Sequence, residues 1–67
     1  MDANYIRERV ASLRREMQDL QELNARNRAQ HRGHLNRPFY ELCRTRLQEI
    51  KAELATMLAE FRRVAGQ

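Results

Sequence analysis

The chain has 67 residues, of which 33% are charged and 6% aromatic, with no Trp, two Gly and one Pro. That is room for one small domain, and the abundance of Ala, Arg, Glu, Leu and Gln belongs to long helices rather than to sheets. The single cysteine, Cys43, excludes an internal disulfide. No apolar run nears the roughly 20 residues of a membrane span, and no leader-like apolar stretch follows Met1, so a reducing cytoplasm is the expected setting.

The first predicted element is a helix over residues 3–32. Ile6, Val10, Leu13, Met17 and Leu20 alternate steps of four and three, the a/d seam of an amphipathic helix. Asp2 and Asn4 are both suited to cap its start, and Gly33 to end it in a left-handed conformation. Carried on by the same steps, the stripe reaches Asn24, Asn27 and His31, so it turns polar. A turn over 33–37 follows. Asn36 is placed to cap the second helix, Pro38 falls in its first turn, where a missing N–H costs nothing, and Leu35 and Tyr40 have the spacing of a hydrophobic staple. The second predicted helix covers 38–65, with a stripe of Tyr40, Cys43, Leu47, Ile50, Leu54, Met57, Phe61 and Val64, and Gly66 closes it. Each helix is expected to run about 28 to 30 residues, or about 42 to 45 Å. The β-branched residues are scattered and form no alternating run, which argues against strands.

A linker this short makes the helices antiparallel neighbours. The expected fold is all-α: residues 1–67 form one antiparallel two-helix hairpin of coiled-coil type. Two helices touching along one line cover each core side chain only in part, and a chain of this size has little other surface to bury. Self-association of two hairpins into a four-helix bundle is the simplest remedy. The expected core and dimer contacts are Ile6, Val10, Leu13, Met17, Leu20, Leu47, Ile50, Leu54, Met57, Leu58 and Phe61. Ala52, Ala55 and Ala59 share a face of the second helix that allows close approach, Phe39 and Leu42 add apolar surface near the turn, and Leu23 widens the seam on the first helix.

Charge placement is the strongest functional hint. The net charge is +4 and Lys51 is the only lysine. Six arginines, Arg26, Arg28, Arg32, Arg37, Arg44 and Arg46, lie between Asn24 and Arg46 against Glu41 alone. Such a tip attracts phosphates or carboxylates, so an acidic protein or a nucleic acid is the expected partner there, with Phe39 and Tyr40 as stacking surfaces. No zinc-finger or helix-turn-helix pattern accompanies the arginines. His31, His34 and Cys43 fall short of the four ligands of a closed zinc site. Cys43 has no oxyanion-hole element beside it, so no catalytic or cofactor-binding residue is assigned. Binding to a membrane surface competes with the seam for the same apolar faces. The sequence therefore reads as a small non-catalytic helical interaction or scaffold protein that self-associates, with a nucleic-acid-binding dimer as the alternative.

Overall fold

A computed structural model describes residues 2–31 and 37–66. Two helices, α1 (Ala3–His31) and α2 (Arg37–Ala65), each of 29 residues, pack side by side into a rod of 51 × 15 × 12 Å. α2 takes in Arg37, one residue before its predicted start at 38, and the predicted end of α1 at 32 lies outside the described residues. The connection, with Arg32, Gly33, His34, Leu35 and Asn36, lies outside the described residues, as do the side chains of His31 and Arg37. Among the described residues no helix is long and apolar enough to cross a membrane.

Local chemistry accounts for the ends. The Tyr5 backbone N–H donates to Asp2 Oδ1 at 2.7 Å, so Asp2 is the N-cap of α1. Its carbonyl accepts the first helical bond, from Ile6 N, at 3.2 Å. Its carboxylate also places negative charge against the positive end of the helix dipole. Pro38 sits in the first turn of α2, where no intrahelical donor is needed. At the other end Arg62 and Arg63 occupy the last turn, where cations complement the exposed carbonyls.

The seam has two unequal rows. Ile6 and Leu13 on α1 and Cys43, Ile50 and Met57 on α2 are between 0% and 5% exposed. On each helix they recur every seven residues, so they occupy one heptad position, here d. The residues of the next row, Val10 and Met17 on α1 and Leu47, Leu54 and Phe61 on α2, are only half-buried; these are the a positions. Around a helix the order of positions is g, d, a, e, so g borders the buried row and e the half-buried one. The hairpin is thus rolled toward its g edge. Leu20, a d residue near the turn, is half-buried, and Leu58, expected in the core, is at an e position and 49% exposed. Ala52, Ala55 and Ala59 are exposed on the back of α2.

Truncation should read out this inequality. Leu13→Ala or Ile50→Ala, at fully covered sites, is expected to cost about 2–5 kcal/mol in urea unfolding. Leu54→Ala, at a half-covered site, is expected to cost clearly less. Equal losses at the three positions would mean that the two rows are packed alike.

Candidate functional site

The g edge is closed by two ion pairs. Arg9 donates from Nε and Nη2 to the two carboxylate oxygens of Glu53, the Nη2 bond at 2.9 Å. Arg46 does the same to Glu16, the Nη2 bond at 2.8 Å. Both cross from one helix to the other, and both are the planar two-bond geometry that guanidinium and carboxylate favour. They pair residue 9 with 53 and 16 with 46, which is possible only if the helices run antiparallel. The register they define sets Ile6 level with Met57 and Leu13 level with Ile50. The hydrogen bonds from Arg46 and Arg9 hold the Glu16 and Glu53 carboxyls below their usual range, and the same bonds raise both guanidiniums. A further bond from Arg63, 2.6 Å to Glu60, lowers the Glu60 carboxyl at the end of the same edge.

The e edge is open and of one sign. Its residues are Arg7, Arg14, Gln21 and Arg28 on α1 and Arg44, Lys51 and Leu58 on α2, all exposed. In the register above, Arg14 is level with Gln48, so Lys51 lies nearly a turn away along the same edge, and Arg7 and Leu58 line one depression. No carboxylate pairs with Arg7, Arg14, Arg44 or Lys51 among the described residues. Inside this rim runs a groove. Toward the helix ends it holds a 480 Å³ depression whose floor is Ile6, Val10, Leu58 and Phe61 and whose rim includes Arg7, Arg14 and Arg15. Arg7 lies over the Phe61 ring, 5.8 Å from its centre, a cation–π contact that leaves the guanidinium at the mouth. Toward the turn a second depression of 210 Å³ is lined by Asn24, Tyr40, Leu47, Arg44 and Lys51.

Counted over the two helices, the a, e and b positions carry Arg7, Arg14, Arg28, Arg37, Arg44, Lys51 and Arg62 against Glu41. The g, d and c positions carry Arg9, Arg26, Arg46 and Arg63 against Glu16, Asp19, Glu49, Glu53 and Glu60. The hairpin is therefore basic on its open side and slightly acidic on its closed one.

The arginines expected to form one tip do not share a surface. Arg28 and Arg44 lie on the open edge. Arg26 is two residues from Arg28, on the other side of α1, beside Asp19, Glu22 and Leu23. Arg46 is held by Glu16, with Glu49 3.7 Å away. Arg32 and the side chain of Arg37 lie outside the described residues. Cys43 is 4% exposed, inside the seam. Among the described residues no group of three His, Cys, Asp or Glu is placed to hold a metal ion. Sequence reasoning passed over Arg7, Arg14 and Lys51 because they lie far from the turn. The available signal was the seven-residue spacing of Arg7 to Arg14 and of Arg44 to Lys51. No family model, curated protein or solved structure matches the chain.

The ion pairs give a pH dependence with a definite sign. Glu16 and Glu53 have folded-state values below 4.5. Their contribution is therefore complete above that value and is lost as pH falls through the lowered ones. Unfolding midpoints are expected to be flat near neutrality and to drop in acid, and in Glu16→Gln/Glu53→Gln the acid drop should shrink. An unchanged acid profile in the double variant would show that the pairs do not hold the helices together.

Proposed function

We propose that the protein is a non-catalytic helical interaction module: two helices of a larger bundle, completed by helices laid on the open side of the seam. One observation carries this reading. The d row is covered while Val10, Met17, Leu47, Leu54 and Phe61, in the adjoining row, are left half-covered, with Val10 and Phe61 lining one depression and Leu47 another. Half-covered apolar surface of this kind is stabilised by an added helix. A second copy is the simplest addition, and two hairpins joined by their open sides make a symmetric four-helix bundle. The splitting of the tip argues against that tip as the nucleic-acid surface, because Arg26 and Arg46 lie off the edge that holds Arg28 and Arg44.

The charge of the rim sets how a pair of copies must behave. Joining open side to open side brings Arg7, Arg14, Arg44 and Lys51 of both copies into one interface, and like charges there are costly unless screened. Screening shortens from about 10 Å at 0.1 M salt to about 3 Å at 1 M. Sedimentation equilibrium is therefore expected to give a reversible dimer that strengthens as salt is raised. Val10→Gln/Leu54→Gln should be monomeric at all salts while keeping its helical circular dichroism. A protein that is monomeric at every concentration and salt removes the four-helix bundle; a dimer indifferent to the double variant puts its interface elsewhere.

A further inference from the structure

The bundle reading leaves open what normally covers the groove, and the charges around it select among occupants. We propose that the open side of the seam is a docking groove for an acidic amphipathic helix of another protein, which packs as a third helix against α1 and α2. This inference rests on the interaction-module reading and names its partner.

The chemistry of the groove supplies the specification. Its floor is apolar toward the helix ends, where Val10, Leu58 and Phe61 line the 480 Å³ depression. An incoming helix fills such a space with aliphatic side chains at spacings of three and four. Both rims are basic, with Arg7 and Arg14 on one side and Arg44 and Lys51 on the other. A helix lying between them therefore meets cations on both flanks, and Glu or Asp beside its apolar stripe neutralises them. Toward the turn the groove becomes polar at Asn24 and Tyr40, so the partner's end there carries a polar side chain in place of an aliphatic one. The same rims disfavour a second copy, which brings cations to cations. Nucleic acid matches the rims but leaves the apolar floor uncovered. An unmatched rim suppresses wrong partners and a matched one speeds the right one.

The probe is a synthetic three-heptad peptide with Leu along its seam and Glu at the flanking positions. Its counterpart has Lys in place of every Glu. Titration calorimetry with the full chain is expected to show one acidic peptide bound per hairpin, at least tenfold weaker at about 0.5 M salt than at low salt, since screening weakens opposite charges. The Lys peptide is expected not to bind. Arg14→Glu/Lys51→Glu, both at exposed positions, should keep full helicity and weaken the acidic peptide at least tenfold. Val10→Gln/Leu54→Gln should weaken it as much without changing the salt slope of what remains. Equal binding of the two peptides, or binding indifferent to the Arg14/Lys51 reversal, overturns the proposal. So does tighter binding to anionic vesicles or single-stranded RNA than to the acidic peptide. If the peptide fails while the pure protein dimerises through Val10 and Leu54, this inference falls and the module reading stands. If neither association occurs, both fall.

Discussion

Two arginine–glutamate pairs on one edge of the seam decide what this hairpin is. Two helices with apolar stripes can meet at many rotations and several registers, since Leu, Ile, Met and Val are interchangeable over short shifts. Arg9 with Glu53 and Glu16 with Arg46 remove that freedom. Each pair is part-exposed, so its worth in stability is small. Its worth in geometry is larger, because a guanidinium–carboxylate fork is satisfied over only a narrow range of positions. Once both forks close, the g edge is drawn together, the d row beneath it is covered, and the a row on the far side is left half-open. The groove is the geometrical consequence of the ion pairs.

The reversal of sign along the edge matters as much as the pairs themselves. On α1 the order is Arg9 then Glu16; on α2 it is Arg46 then Glu53. Each helix is therefore self-complementary when run antiparallel, and α1 could pair with another α1 as well as with α2. Only five residues separate the two helices in the chain, and that tether raises the effective concentration of the intramolecular partner far above that of any other copy. Charge order selects the direction and register; chain connectivity selects which helix answers.

Much of the fold was legible from the residues. A stripe without interruption from Tyr40 to Val64 and a proline suited to a first helical turn each had one reading, and together they pointed to two antiparallel helices, while the cap stood between Asp2 and Asn4 until the bond to Tyr5 N–H placed it at Asp2. The rotation was less legible. Steps of three and four mark a and d alike, and nothing in that pattern says that Leu13 is fully covered while Leu54 is half-covered. The information lay one position to the side, in the match between residues 9 and 53 and between 16 and 46. The arginine tip was misleading for a related reason. Neighbours in sequence are about 100° apart on a helix, so a dense run such as Arg26, Arg28, Arg44 and Arg46 spreads over opposite sides. The sparser series Arg7, Arg14 and Arg28, in multiples of seven, stays on one.

A basic rim around an apolar groove has a cost that explains its form. Surface cations crowded on one side repel each other, and Arg14 and Lys51, on the same open edge, gain nothing within the hairpin. A single acid at either position would have matched the other edge. Keeping both basic leaves the hairpin poorly suited to stack on itself at ordinary salt and well suited to a helix of opposite charge. Near the turn the seam adds a second filter. Asn24 Oδ1 and Asn27 Nδ2 are buried without a hydrogen-bond partner among the described residues. Buried amides of this kind are tolerated where they fix alignment at some loss of stability. A partner helix displaced by one heptad along the groove would set an aliphatic side chain against this polar layer and a polar one against Val10 and Phe61. The apolar floor thus provides the attraction, the rim selects the sign of the partner, and the change from apolar to polar along the groove selects its position.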